Sequence, residues 1–362
     1  MDPTLASLVA QVRDAAASGR ALRIRGGGSK DFHGERLAGE PLDTRGWRGI
    51  VNYEPSELVV TVRAGTPLAE LETVLAASGQ CLPFEPPHFG PATVGGMVAS
   101  GLSGPARASV GAVRDYVLGL QLVNGQGELL VFGGQVMKNV AGYDVSRLMV
   151  GAWGTLGLIA EVSLKVLPIA PAEATLRFEL GQSEALRRLN AWGGQPLPLN
   201  ASRWLDEGGV GTLHLRLRGA VAAVDAACRS LGGERLDDVQ AAADWQACRE
   251  QRLPWFVERG ERALWRVSVP QTAPELDLPE APLVEWHGGL RWVRAADEAA
   301  TRIREVAQGA GGHATLFRPG TATPAVPRMT PPAPVLDRIQ RELKRQFDPA
   351  GIFNPGRLFP DF

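Results

Sequence analysis

Three glycine-rich segments within the first 160 residues constrain this chain more than any other feature. The first is Arg25-Gly26-Gly27-Gly28-Ser29-Lys30, directly after Ala21-Leu22-Arg23-Ile24-Arg25, which predicts a short strand. Three consecutive glycines let successive N–H groups point into one concavity, a nest suited to a phosphate or pyrophosphate, and Ser29 and Lys30 add a hydroxyl and a charge. Taken alone the segment favours a plain flexible turn. A Walker loop is excluded because no Gly-Lys-Ser/Thr occurs, and the G-x-G-x-x-G dinucleotide pattern fails because position 31 is Asp31.

The second segment, Gly90-Pro91-Ala92-Thr93-Val94-Gly95-Gly96-Met97-Val98-Ala99-Ser100-Gly101, crowds small residues into a stretch with a helix start. Helix-start N–H groups favour a diphosphate. Close packing of a helix on a sheet is an equal reading. The third runs Lys138-Asn139-Val140-Ala141-Gly142-Tyr143-Asp144 and then Gly151-Ala152-Trp153-Gly154-Thr155-Leu156-Gly157-Leu158-Ile159. Glycine in an element interior weakens it by about 1 kcal/mol, so a close backbone approach to a ligand is a sufficient reason for Gly151, Gly154 and Gly157. Asp144 also reads as a helix cap, and Tyr143 as a half-buried packing residue.

Around these segments the pattern is α+β. Asp2-Pro3 with Leu5, Leu8, Val9 and Val12 predicts an amphipathic N-terminal helix. Residues 49–53, 58–63, 117–123, 129–132 and 156–167 read as strands, the middle pair joined across Asn124-Gly125-Gln126-Gly127. Pro168 and Pro171 mark a boundary, after which strands and helices alternate in a ferredoxin-like way. The expected organisation is residues 1–168, residues 169–330, and a C-terminal helix and tail over 331–362 returning to the first part. No internal repeat is visible. The basic residues Arg338, Arg341, Lys344 and Arg345 of the last helix read as a solvated face.

Composition removes several function classes. A net charge of −1, with Lys and Arg spread along the chain, argues against nucleic acid and against a polybasic membrane anchor. Cys81, Cys228 and Cys248 form no CxxC pair and fall short of the four thiolates of an iron–sulfur cluster, so electrons leaving this protein go to a centre on another chain. No leader is read at the N-terminus, and the apolar run 156–172 is interrupted by Glu161 and Lys165. The five histidines are scattered and suggest no metal site.

In this order and spacing, the three segments resemble the PCMH-type FAD-binding domain of the vanillyl-alcohol oxidase superfamily over about residues 1–170. Lys138–Asp144 with Ser146-Arg147-Leu148 and the Gly-Thr-Leu-Gly run is similar to the flavin-binding D and E subunits of glycolate oxidases. So is the tail Phe347-Asp348-Pro349-Ala350-Gly351-Ile352-Phe353-Asn354-Pro355-Gly356-Arg357-Leu358, and the short length points to the E type.

The resemblance implies a two-lobed FAD domain followed by a smaller ferredoxin-like α+β cap. It implies that Arg25, Gly26, Gly27, Gly28, Ser29 and Lys30 hold the FAD pyrophosphate. Thr93, Gly95, Gly96, Ala99, Ser100 and Gly101 would line the pyrophosphate and isoalloxazine side, Gly157 and Ile159 would meet the ribose or adenine, and Asn354 would close the site. The flavin is expected to be non-covalent, since neither His33 nor His88 sits at the attachment position of covalent relatives.

The expected partners are a larger FAD-containing catalytic subunit and an iron–sulfur subunit, the substrate of the complex being a small 2-hydroxy acid, glycolate. The expected place is the cytoplasm, or the inner face of the cytoplasmic membrane through the complex. Catalytic relatives carry a histidine-rich Gly-Asp-Gly-Asn motif; here Gly311-Gly312-His313-Ala314 is the nearest match, and Trp153 stands where they carry Glu. His313 and Tyr143 are the only base candidates, and a structural role for His313 is favoured. Two alternatives follow: an assembly subunit with a vestigial flavin site, and a stand-alone FAD dehydrogenase of another acid. The glycines speak against the first of these, on the expectation that an empty cradle would not require them.

Overall fold

A computed structural model describes residues 2–134, 143–320 and 326–362. Residues 138–142 of the third segment, and part of the proline-rich stretch before the last helix, lie outside the described residues. The chain forms two units: Met1–Leu102, Ala112–Ile169 and Pro331–Phe362 make the first, Ser103–Gly111 and Ala170–Thr330 the second.

The first unit begins with α1 (Pro3–Ser18), whose start is set by the Asp2 carboxylate accepting from the Thr4 N–H and whose end is the left-handed Gly19. Its stripe Leu5, Leu8, Val9 and Val12 joins Leu22, Leu42, Trp47, Leu158, Ile352 and Phe353 in one core. β1 (Leu22–Arg25) pairs in parallel with β2 (Glu40–Asp43). An antiparallel sheet follows in the order β3 (Ile50–Glu54), β4 (Val59–Arg63), β8 (Leu158–Lys165), β6 (Val117–Val123), β7 (Leu129–Gly133). α2 (Leu68–Ala77) leads into β5 (Gln80–Cys81), which pairs with β9 (Leu167–Pro168). Thr93 caps α3 (Val94–Ser100), and Asp144 caps the short α5 (Val145–Leu148) through the Arg147 N–H. α4 (Arg107–Val110) belongs to the second unit.

After α11 (Pro334–Phe347) the chain returns to β1: Leu22 N–H donates to Ile352 O at 2.7 Å and Asn354 N–H to Leu22 O at 2.8 Å. The tail is thus a further parallel neighbour of β1. It is fixed by Lys344, which is buried rather than solvated. Its ammonium donates to Asp348 at 2.7 Å, Thr155 O at 2.7 Å and Phe353 O at 2.9 Å. Helical spacing put Lys344 on the basic face with Arg341 and Arg345, but the tail folds back over that one position.

The second unit is an eight-stranded antiparallel sheet containing β10 (Ala172–Glu179), β11 (Leu199–Glu207), β12 (Val210–Gly219), β13 (Glu234–Arg235), β14 (Ala263–Ser268), β15 (Leu283–Glu285), β16 (Leu290–Ala295) and β17 (His313–Arg318). Its order, β13-β10-β12-β11-β15-β16-β14-β17, consists of two four-stranded halves with the same ferredoxin-like connectivity, joined through β11 and β15. The first half carries α6 (Gln182–Gly193) and α7 (Val221–Leu231) on its apolar face. The second carries α10 (Ala300–Gly309) and has irregular chain at 269–282 where a first helix would stand. The duplication is one of topology, which is why no repeat shows in the residues.

On the opposite face, strand alternation presents Thr175, Arg203, His214 and Arg216. α8 (Asp238–Arg249) covers them: Trp245 Nε1 donates to Thr175 at 3.0 Å and Asp244 pairs with Arg203 at 2.6 Å. α9 (Pro254–Val257) follows.

Candidate functional site

A groove in the first unit is built by three pieces of chain meeting at the end of β1. The loop after β1 supplies Arg25, Gly26, Gly27, Gly28, Ser29 and Lys30. The start of α3 supplies Thr93, Gly95, Gly96, Ala99 and Ser100, and the turn before β8 supplies Trp153, Gly154 and Gly157 with Leu158 and Ile159 of β8 itself. Asn354 lies at the same groove. All but one of the sequence-expected cofactor residues therefore come together there. Gly101 does not; it closes α3 in the left-handed conformation.

The loop and the helix start are in direct contact. A Cβ on Gly27 would fall on the carbonyl of Pro91, one on Gly26 on the Thr93 hydroxyl, and one on Gly95 would lie 2.7 Å from the Ala64 Cβ. These glycines are demanded by the protein packing on itself. Their presence does not distinguish a filled groove from an empty one, which corrects the expectation that only a bound ligand would require them.

The chemistry of the lining does point to a ligand. Among the described residues the N–H groups of Gly26, Gly27, Gly28 and Ser29 donate to no protein acceptor. Arg23, Arg25, Lys30, Arg36 and Arg357 line the groove against the single carboxylate of Asp31, which pairs with Arg25 at 3.0 Å. The buried Nε of Arg23 has no partner. Backbone donors and guanidiniums converging on one groove suit a diphosphate. Arg23, Arg36 and Arg357 were not singled out by sequence; alternation along β1 could have placed Arg23 beside Arg25, whereas Arg36 and Arg357 arrive through the tertiary fold.

Other lining residues hold the groove's shape. The Asn354 side chain accepts from Ile24 N–H at 2.8 Å and donates to Trp153 O at 2.6 Å, tying β1 to the turn before β8. Arg357 donates to Lys30 O at 2.9 Å and lies over the Trp153 ring at 5.4 Å. Lys30 itself donates to His88 O at 3.2 Å. His33 is buried, its ring 4.7 Å from that of Trp153, and His88 pairs with Glu72 at 2.9 Å. No histidine or cysteine is among the residues lining the groove.

The two base candidates lie elsewhere. Tyr143 is 98% exposed rather than half-buried, and does not line the groove. His313 begins β17 in the second unit. Among the described residues no three His, Cys, Asp or Glu side chains gather to hold a metal ion, and no helix is long and apolar enough to cross a membrane.

The chain is 47% identical to glycolate oxidase subunit GlcE of Escherichia coli (strain K12) over 356 residues, covering 98% of this chain and 97% of that protein. It belongs to the GlcE family. A family model described as an FAD binding domain matches residues 4–133, which contain the loop after β1 and the start of α3. Glycolate oxidase subunit GlcD of Bacillus subtilis (strain 168) is 33% identical over 127 residues, 35% of this chain and 27% of that protein. The solved structure of an alkyldihydroxyacetonephosphate synthase superposes with a TM-score of 0.67 at 17% identity, over 96% of this chain and 75% of that one, a likeness of fold. As a GlcE family member the chain is an FAD-dependent oxidoreductase subunit with the PCMH-type fold, and its cofactor is FAD. The groove's N–H nest, five cationic side chains and small-residue walls fit that group.

Proposed function

We propose that this chain is the FAD-binding subunit of a multi-subunit glycolate oxidase, which converts glycolate to glyoxylate and passes electrons to a partner iron–sulfur subunit. The observation that carries the reading is the likeness to GlcE along nearly the whole of both chains. The partners are a larger FAD-containing catalytic subunit and the iron–sulfur subunit. The complex works in the cytoplasm or at the inner face of the cytoplasmic membrane.

In this reading Gly26, Gly27, Gly28 and Ser29 offer their N–H groups to the diphosphate, and Arg23, Arg25, Lys30, Arg36 and Arg357 balance its charge. Thr93, Gly95, Gly96, Ala99 and Ser100 form a wall flat enough for a ring system, while Gly157 and Ile159 meet the nucleoside end. Asn354 keeps β1 and the Trp153 turn at a fixed separation. Bound FAD supplies two-electron redox chemistry. The absence of His and Cys from the lining supports non-covalent retention.

An assembly subunit with a vestigial site is disfavoured by the unpartnered Arg23 Nε and by five cations facing one carboxylate. An empty groove would keep that arrangement at a desolvation cost.

Three measurements test the reading. An absorbance spectrum of the purified chain, followed by acid precipitation, is expected to release free flavin. Arg23→Gln is expected to weaken flavin retention by roughly tenfold or more, the loss of one charge-assisted hydrogen bond, with the unfolding midpoint of the apoprotein unchanged. Glycolate-dependent reduction of an artificial acceptor is expected only when the partner subunits are added. Turnover by the isolated chain, or a colourless protein that takes up no FAD, would overturn the proposal.

A further inference from the structure

α11 is mounted on the first unit in reverse. Val335, Leu336, Ile339, Leu343 and Phe347 fall on one side of the helix and make one apolar stripe. In a globular protein such a stripe ordinarily faces the core. Here the polar side is the docked one. Lys344 is buried against Asp348, Thr155 O and Phe353 O, and Arg341 donates to Asp337 at 2.8 Å and to Asp361 at 2.9 Å.

The stripe is left outward. Leu343 and Phe347, nearest the tail, are half-buried, and the Phe347 ring meets that of Phe132 at 6.3 Å. In the first two turns Val335, Leu336 and Ile339 are 59%, 54% and 49% exposed. Scattered surface aliphatics need no explanation, but three on one helix face form a patch of the kind that marks an interaction site. An amphipathic helix offering its apolar face is a standard unit of protein–protein recognition.

The edges of the stripe say what covers it. Exposed Arg338, Glu342 and Arg345 run along one edge, and half-buried Gln340 borders the other. Arg345 pairs with Glu342, whereas Arg338 has no ion-pair partner among the described residues. A second copy of this chain fits poorly. An antiparallel two-fold pair centred on the stripe would set Arg338 against Arg345 and Glu342 against Glu342, which are like charges. A parallel pair would bring the basic edge to Gln340 and leave Arg338 unmatched. A lipid surface fits poorly as well. Glu342 cancels one of the two exposed guanidiniums, and a single remaining charge is worth only about 1 kcal/mol at an anionic bilayer.

We propose that the outward face of α11 is the docking surface for a partner subunit, and that it receives an apolar surface edged by a carboxylate that pairs with Arg338. The proposal rests on the multi-subunit reading above. Val335, Leu336 and Ile339 anchor the contact, and Arg338 sets its register. None of the four lines the flavin groove, so docking and flavin binding can be tested apart.

The test is co-expression of the affinity-tagged, full-length chain with the larger flavin subunit and the iron–sulfur subunit, followed by quantifying what the tag retains. The unaltered chain is expected to retain partner in a fixed ratio and, alone, to elute as a flavin-loaded monomer. Val335→Glu combined with Ile339→Glu should lower retention roughly tenfold or more, as loss of apolar anchors does. Glutamate is a good helix former and suits the first turn, so flavin content and unfolding midpoint of the isolated variant should stay unchanged. Arg338→Glu, a surface change with no partner to lose, should weaken retention at low salt and less so at high salt.

Full retention by both variants would overturn the docking surface and leave the multi-subunit reading in place. No retention by the unaltered chain would remove that reading and this proposal with it. Dimers of the isolated chain that the double variant cannot form would give the face to a second copy. Sedimentation with phosphatidylglycerol vesicles, lost in the double variant, would give it to the membrane. Either result would overturn the partner assignment.

Discussion

At the scale of single residues, two side chains make opposite demands on their surroundings. Gly27 must have none, because a Cβ there would occupy the position of the Pro91 carbonyl. Gly27→Ala is therefore expected to destabilise the apoprotein by about 1–3 kcal/mol, the usual effect of overpacking, and to lower the unfolding midpoint with or without FAD. A variant that lost flavin at unchanged apoprotein stability would show that the glycine serves the ligand alone. His287 needs its neighbours instead. Burial lowers its value from 6.5 to about 4, so its ring is neutral in the fold. The folded state then binds this proton less readily than the unfolded chain, so the contribution is complete above about pH 6.5 and is lost as pH falls toward 4. Denaturant titrations at pH 7 and pH 5 should differ by about 2 kcal/mol on account of this group, and His287→Gln should remove that share. An identical pH dependence in the variant would show that other groups set it.

At the scale of elements, Lys344 and Asp348 turn the end of α11 into a clasp. Both are buried, and Asp348 also accepts from Ile352 and Phe353 N–H. Lys344→Ala would leave Asp348 buried without its partner, at a cost of about 3–5 kcal/mol. Release of the tail should follow, read as faster proteolysis after residue 347 and loss of flavin. Full flavin content with a protected tail would contradict the clasp.

Elements with a strong period or a sharp stop were legible in the sequence. α1 carried its cap, its proline and one apolar stripe, and the hairpin of β6 and β7 announced itself by Asn124-Gly125. The same held for the first-unit groove, whose glycine segments lie close to the strand and helix starts they serve. Elements whose residues alternate into a buried polar face were not legible. β11 faces α8 through Arg203 and Asp244, beside the contact of Thr175 on β10 with Trp245 of α8, so neither β11 nor α8 shows a clean apolar rhythm. β16 buries Arg291 and was hidden for the same reason. Arg357 could not be joined to Lys30 from spacing, because the two are 327 positions apart.

At the scale of the whole molecule, the first unit is assembled from three stretches of chain and the second from two. A chain ending at Thr330 keeps every glycine of the groove but loses Asn354, Arg357 and the strand partner of β1. It is expected to bind no FAD and to show a low, broad unfolding transition for the first unit, while a circular dichroism signal from the second unit's sheet remains. Retention of FAD by that truncated chain would mean that the tail is dispensable to the groove.

The return of Ile352–Asn354 to β1 also fixes an order of events in the cell. A ribosome makes β1 and its glycine loop more than 300 residues before the strand partner that completes them. Contacts so distant in sequence form late and slowly. The nascent chain must therefore carry an unfinished nucleotide cradle through those 300 residues of synthesis, and FAD can act as a check on completion, rewarding only chains that were translated through residue 357.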